Sequence, residues 1–233
     1  MPGSDRPSVI VFDVNETLLD LTTLEPVFAR IFGDGRVMRE WFAQLILYSE
    51  ALTLSGLYTP FGDLAGGTLR MIGQTAGVAI TDDDVNDLKR HIGSMPALPD
   101  VAPALERLRA AGFRLVTLTN SAPGASPTPL DRAGLSQFFE RSFSVDEVRK
   151  FKPAPETYRL VADTLGMAPA DMCMVACHFW DTLGAQAAGW RGALIQRPGN
   201  AVLPVDGVPA PDILCRDMHV LADEILMRWT PVR

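Results

Sequence analysis

The sequence predicts an α/β fold: a Rossmann-like parallel sheet core with helices on both faces and an inserted helical cap. Three observations carry that expectation. The run "SVIVF" (8–12) is apolar, rich in β-branched residues and reads as a buried strand. From about residue 99 onward, strand-like and helix-like segments take turns. Between these two regions, residues 20–98 carry helical patterns and no convincing strand.

The elements follow in order. After the first strand, "TTLEPVFARIFG", "RVMREWFAQLILYSEALTL", "PFGDLAGGTLRMIGQTAG" and "TDDDVNDLKRHIG" read as helices separated by Gly and Pro. "DVAPALERLRAAG" is a helix with Asp100 as its expected N-cap and Gly112 as its stop. "RLVTLTN" and "SFSV" are strands, and "APETYRLVADTLG" is a helix closed by Gly166. "MCMVAC" is a strand, "DTLGAQAAG" a helix, "GALIQ" and "DIL" strands, and "DMHVLADEILMRW" a final helix. The segment 197–212, rich in Pro and Gly, reads as an ordered surface loop. Because the chain returns to the same sheet after residue 98, the expected division is a core of 1–19 and 99–233 with a cap of 20–98.

Composition narrows the function classes. The 233 residues, 47% hydrophobic and 21% charged, are those of an ordinary globular protein able to bury a full core. No stretch approaches a membrane span, and "MPGSDRPS" lacks the basic-then-apolar order of a signal peptide. Cys173, Cys177 and Cys215 cannot all pair and show no zinc-type clustering with histidine, so reduced thiols and a cytoplasmic location are expected. A net charge of −7 without a basic stripe argues against a nucleic-acid surface, though not against a small anionic substrate.

In an open parallel sheet, ligands bind beyond the carboxyl ends of the strands. Four predicted strands end there in reactive groups: Asp13 and Thr17, then Thr119, Asn120 and Ser121, then Lys152, then Cys177, His178, Trp180 and Asp181. One polar strand end is usually a turn. Four ends of one sheet carrying this set point to a catalytic site.

The stretches "FDVNETL", "LVTLTNS", "FKPAPETY" and "MVACHFWDTLGAQAAG" resemble the four ordered motifs of the haloacid dehalogenase superfamily, and within it most resemble the type II 2-haloacid dehalogenases. The resemblance covers essentially the whole chain. It implies metal-independent hydrolysis of a short 2-haloalkanoic acid to a 2-hydroxy acid, with no cofactor and a small halogenated carboxylic acid as the partner. Asp13 is then the nucleophile that forms an aspartyl ester. Lys152 supplies positive charge, and Thr17, Thr119 and Asn120 supply hydrogen bonds to Asp13. Asp181 orients Lys152 and helps to activate the hydrolytic water. Asn15, Thr119, Asn120, His178 and Trp180 are the expected substrate-binding residues.

Most members of the superfamily are phosphatases, and two positions speak against that activity here. Asn15 stands where such a phosphatase carries its general acid, and an amide cannot deliver a proton. Ala176 stands where a second Mg²⁺-binding aspartate is expected. A phosphatase with an atypical Mg²⁺ site and a non-catalytic binding member of the fold are the competing readings.

The chain also departs from the type II pattern. Aligning "WFAQLILYSEAL" puts Ala51 at the position of the arginine expected to hold the substrate carboxylate and receive the halide. Arg39, twelve residues earlier and about 120° around the helix, is no obvious replacement; Arg36 and Arg70 are weaker candidates. Glu16 stands where the first motif usually has Gly, and Ala176 and His178 stand in place of Ser and Asn. His178 serves either to orient water or meet an anion, or simply as a satisfied loop histidine. A Cys177 thiol nucleophile is disfavoured. Trp180, Tyr48 and Phe61 are candidates to wall an apolar pocket, and the apolar spacing of the cap serves packing or a homodimer surface.

Overall fold

Val9–Phe12 forms β1, a strand whose four side chains are all buried. Successive residues of a strand face opposite sides of the sheet, so such a run requires cover on both faces. The computed structural model describes residues 7–124 and 126–229 and shows that cover. β1 lies inside a six-stranded sheet with β2 (Arg114–Thr119), β3 (Arg141–Ser144), β4 (Met172–Ala176), β5 (Arg191–Ile195) and β6 (Ile213–Cys215). The order is β3-β2-β1-β4-β5-β6, and all neighbours are parallel. Phe12 pairs with Thr117 of β2 and Val175 of β4. Asp13 therefore leaves the sheet where the strand order reverses, the place at which a parallel sheet opens a crevice.

Four helices fill the stretch between β1 and the helix preceding β2: α1 (Glu25–Phe32), α2 (Val37–Leu54), α3 (Phe61–Ala76) and α4 (Asp82–Ile92). α1 stops at Gly33, whose φ of 77° is accessible to glycine without penalty. α4 starts with a capping box between Thr81 and Asp84. α2 packs on α3 through Trp41, which is buried and donates its indole N–H to Ala65 O at 3.0 Å. The chain leaves and re-enters the sheet region side by side: Asp20 N–H donates to Pro96 O and Leu98 N–H to Leu18 O, each at 2.9 Å.

The remaining helices are α5 (Val101–Ala110), the short α6 (Pro129–Arg132), α7 (Pro155–Leu165), α8 (Phe179–Ala187) and α9 (Met218–Trp229). Three local expectations need correction. The first inserted segment is a 3₁₀ turn over Leu21–Leu24, capped by Asp20, before α1 begins at Glu25 and Pro26. Asp100 makes no capping bond to its helix; its carboxylate takes the Arg197 guanidinium at 2.7 and 2.9 Å and the Met218 N–H at 2.9 Å. α8 begins at Phe179, two residues early, because His178 already has the extended backbone of an N-cap. Asp181 therefore sits in the first helical turn, with its side chain turned back toward the sheet.

Candidate active site

The four strand ends converge. Lys152, carried past β3, is completely buried, and its Nζ donates to Asp13 Oδ1 at 2.9 Å, Asp181 Oδ2 at 2.6 Å and Leu118 O at 3.0 Å. These three bonds use all the donors of an ammonium group. Thr17 Oγ1 donates to Asp13 Oδ2 at 2.7 Å and accepts the Cys177 N–H at 3.0 Å, tying the loop after β1 to the end of β4. Tyr158 of α7 donates its hydroxyl to Asp181, with Oδ1 at 3.1 Å and the main-chain O at 3.0 Å.

Thr119 and Asn120 have other work than the hydrogen bonds to Asp13 expected of them. Asn120 Oδ1 accepts the Lys152 N–H at 3.1 Å and so holds the lysine main chain; Thr119 Oγ1 accepts the Ser121 N–H at 3.1 Å. Both line a small cavity of about 10 Å³ next to Asp13, together with Asn15, Phe42, Ile46, Phe61, His178 and Trp180. All five expected substrate-binding residues thus meet at one cavity. Phe61 and Trp180 wall it as anticipated, whereas Tyr48 is surface-exposed and does not line it. A larger cleft of about 600 Å³ adjoins it and shares Asn15, Phe42, Phe61 and Thr119.

Ala51 lines neither cavity; α2 presents Phe42 and Ile46 to Asp13 instead, so no arginine of that helix lines either cavity. Arg39 nevertheless belongs to the site. It pairs with Glu16 and donates to Pro198 O at 3.1 Å. Glu16 is buried, accepts Asn200 Nδ2 at 3.0 Å, and places Oε2 2.9 Å from His178 Nε2. His178 stacks on Trp180, with ring centroids 5.1 Å apart, and meets the tilted Phe42 ring at 5.3 Å. Its Nδ1 lies 3.5 Å from Asp13 Oδ2 and is buried without a hydrogen-bond partner.

Sequence reasoning missed Glu16 as a site residue, although the signal was present. A left-handed backbone, φ 65° at Glu16, favours glycine, and glycine is what the family pattern puts there. A side chain retained in that conformation, at a cost of about 1–3 kcal/mol, is held by its carboxylate contacts. Asn200 lies in the surface loop, and no local pattern marks it.

Electrostatics separate the two aspartates. Burial opposes charge on Asp13, but Lys152, His178 and the Thr17 hydroxyl outweigh it and hold its pKa well below the usual range. Burial and the Asp13 charge push Asp181 up to about 6 against the pull of Lys152. Lys152 therefore stands between two carboxylates of unequal acidity, Asp13 the more readily ionised. Asp181 lines neither cavity, and each of its oxygens accepts a hydrogen bond, Oδ2 from Lys152 and Oδ1 from Tyr158.

A Mg²⁺ ion does not fit these residues. It requires several hard oxygen ligands, but Lys152 Nζ bridges the two carboxylates, Ala176 has no side-chain donor and Tyr158 holds the remaining Asp181 oxygen. Burial raises the pKa of the Cys177 thiol, so Cys177 stays protonated near neutrality, which leaves no thiolate nucleophile.

Residues 7–189 match the family model of the haloacid dehalogenase-like hydrolases. An (S)-2-haloacid dehalogenase of Pseudomonas sp. (strain CBS-3) is 31% identical over 189 residues, covering 80% of this chain and 83% of that protein. The solved structure of an L-2-haloacid dehalogenase superposes with a TM-score of 0.88 at 28% identity, covering 94% of this chain and 99% of the other. That of the L-2-haloacid dehalogenase of Xanthobacter autotrophicus with chloropropionic acid covalently bound gives 0.85 at 25% identity, covering 95% and 98%. A parallel sheet whose strand ends gather a buried Asp–Lys–Asp set, matched over most of its length by these proteins, places the chain in the haloacid dehalogenase-like hydrolase family.

Proposed function

We propose that the protein hydrolyses the carbon–halide bond of a short 2-haloalkanoic acid, giving the 2-hydroxy acid by way of an ester on Asp13. The observation that carries this reading is the Lys152 bridge, which keeps Asp13 ionised and aimed in a cavity with apolar walls. The named activities of the relatives, and the covalent adduct in one of them, support it. An Asp13 oxygen attacks the halogen-bearing carbon from the side opposite the halogen. The carbon–halogen bond breaks with its electron pair, and halide departs. Water then attacks the ester carbonyl and releases the hydroxy acid. In this reading Asp13, Thr17, Lys152 and Asp181 form the catalytic set. Asn15, Thr119, Asn120, His178 and Trp180 contact the substrate.

Residues 20–98 act as a cap over a core made of 1–19 and 99–233. A cavity of about 10 Å³ holds roughly one water, so a haloacid enters only when Phe42, Ile46 and Phe61 of the cap withdraw toward the larger cleft. The reaction is metal-independent because the carboxylates are committed to Lys152. The test is halide release from chloroacetate and both enantiomers of 2-chloropropionate, with and without EDTA and beside a generic phosphate ester. Halide release that survives chelation supports the reading. Phosphate release that EDTA abolishes and Mg²⁺ restores moves the assignment to a phosphatase.

A further inference from the structure

His178 is unusual among buried residues because one ring nitrogen is fully used and the other is not. Nε2 meets Glu16 Oε2 at 2.9 Å, while Nδ1 is buried, unpartnered and 3.5 Å from Asp13 Oδ2. Stacking on Trp180, contact with the tilted Phe42 ring and the Nε2–Glu16 bond hold the ring in place, so the unused nitrogen is not free to turn. His178 lines the cavity of about 10 Å³ beside Asp13, roughly the room one water needs. Asp181, the other acid of the site, does not reach that space.

We infer that the Glu16–His178 pair is the base that activates water against the Asp13 ester, with His178 as a catalytic residue and Glu16 positioning it. The inference rests on the dehalogenase reading above and assigns its second half-reaction. In the resting enzyme burial opposes an imidazolium, while the adjoining Cys177 sulfur and the carboxylates of Asp13 and Glu16 favour it. Displacement of halide converts the Asp13 carboxylate to a neutral ester and removes one of those two charges. The imidazolium then gives up a proton, the one net proton the overall hydrolysis produces. Neutral Nδ1 accepts a proton from water as the water oxygen bonds to Asp13 Cγ. The tetrahedral intermediate collapses by breaking the bond from Cγ to the substrate oxygen. The hydroxyl proton of the intermediate passes to the departing alkoxide. Asp13 is again a carboxylate and His178 again an imidazolium, so atoms and charges return to the start.

Glu16 keeps the ring oriented and its far nitrogen protonated, and Arg39 and Asn200 hold Glu16 in turn. The charged and titratable groups facing His178 are Asp13 and Glu16 from the loop after β1, and the Cys177 thiol at the end of β4. Arg39 of α2 acts through Glu16, Lys152 acts through Asp13, and Asp181 sits in the first turn of α8.

The experiment is rapid-quench turnover of 2-chloropropionate by the full chain, counting halide per site and weighing the Asp13 peptide. His178→Phe keeps the stacked ring, and His178→Gln keeps a polar group if the first variant folds poorly; circular dichroism checks both. The expected result is a burst of about one halide per site followed by turnover slowed by about 100-fold or more, the scale of general-base catalysis. The adduct accumulates on Asp13. Glu16→Gln leaves the burst and shifts the pH profile of the slow phase to lower pH, because an anion that favours the imidazolium is gone. Loss of the burst itself in the His178 variants, or ester hydrolysis at the wild-type rate, overturns the inference while leaving the dehalogenase reading intact. A wild-type protein that releases no halide and forms no adduct overturns both.

Discussion

Lys152 Nζ stands 2.6 Å from Asp181 Oδ2, and neither side chain has any exposed surface. An ion pair so placed has no water to fall back on. Removing one member leaves a buried charge, at a cost of about 3–5 kcal/mol. Lys152→Met keeps the apolar stem but strands Asp13 and Asp181 together. Urea unfolding is expected to show a loss of that size at pH 7. The loss shrinks near pH 5, where Asp181 takes up a proton. On the dehalogenase reading, folded Lys152→Met also loses about 2–4 kcal/mol of transition-state stabilisation, roughly 30- to 1000-fold in rate. Raising the pH restores part of that rate by ionising Asp13. Wild-type turnover by a folded Lys152→Met protein removes the lysine from the chemistry.

On the dehalogenase reading, the raised Asp181 pKa bears on the acid side of the halide-forming step, because a protonated Asp181 holds Lys152 less firmly against Asp13. With Asp181 at about 6, activity is expected to fall as pH drops through 6, well above the usual aspartate range near 3.9. Tyr158→Phe removes the hydroxyl that donates to Asp181 Oδ1. A hydrogen bond to the charged form favours that form, so the acid limb moves to higher pH in the variant. A pH–rate series on both proteins measures this, and an unmoved limb assigns it to another group.

Arg197 and Asp100 make a second buried pair, remote from the chemistry yet joined to it: Arg197 also donates to Thr17 O at 3.1 Å. Burial works against charge on Asp100, but Arg197 and the Met218 N–H outweigh it and lower its pKa. A carboxylate with a depressed folded pKa stabilises above its unfolded pKa and loses that contribution as pH falls through the folded value. Arg197→Met is therefore expected to lower stability by about 3–5 kcal/mol near pH 7, with the deficit narrowing below about pH 4. Denaturant titrations at pH 7 and pH 3.5 compare the two; an equal deficit at both leaves the charge pairing without a role.

Gly184 in α8 has no room for a side chain. A Cβ there meets Pro153 Cβ and Tyr158 Oη, each at 2.5 Å. Pro153 follows Lys152, and Tyr158 holds Asp181, so the strain lands on the supports of the ion pair. Gly184→Ala is expected to destabilise by about 1–3 kcal/mol, the usual range for overpacking, and to displace the acid limb of the pH profile. A thermal melt and the same pH series check both effects. Gly67 of α3, with open space around its Cβ position, is the control: its alanine variant is expected to gain about 0.5–1 kcal/mol from helix propensity and to leave the acid limb unmoved.

Much of this architecture was legible because it is written in local periodicity. The buried strand of β1, the alternation after residue 99 and the four strand-end groups each leave a pattern within a dozen residues. Thr17, Lys152 and Asp181 converge on Asp13 as expected, since parallel strands must bring their carboxyl ends to one edge. Long-range pairing was less visible. Glu16 with Arg39 joins residues 23 apart, and Asn200 reaches Glu16 from 184 residues away. Asp100 has the residue type of an N-cap, but a guanidinium 97 residues on competes for its carboxylate and wins. Phe42 and Ile46, rather than Ala51, face the cavity beside Asp13, and the regular apolar repeat of α2 does not reveal in the sequence which of its positions do so. The same helix divides its apolar residues between burial (Met38, Trp41, Leu45) and the surface (Leu47, Leu54), a division that hydropathy alone does not make.

The paired backbone at Leu18–Asp20 and Pro96–Leu98 has a consequence for how such a protein can change over time. The chain comes back beside the point where it left, so the sheet registers everything between as a short detour. Any segment whose two ends meet at the same spacing can be exchanged there without rerouting a strand. The residues that line the cavity opposite Asp13, namely Phe42, Ile46 and Phe61, travel with that segment, whereas Asp13, Lys152 and Asp181 stay with the sheet. One wall of the cavity can thus change while the Asp13–Lys152–Asp181 set and the remaining lining residues stay in place.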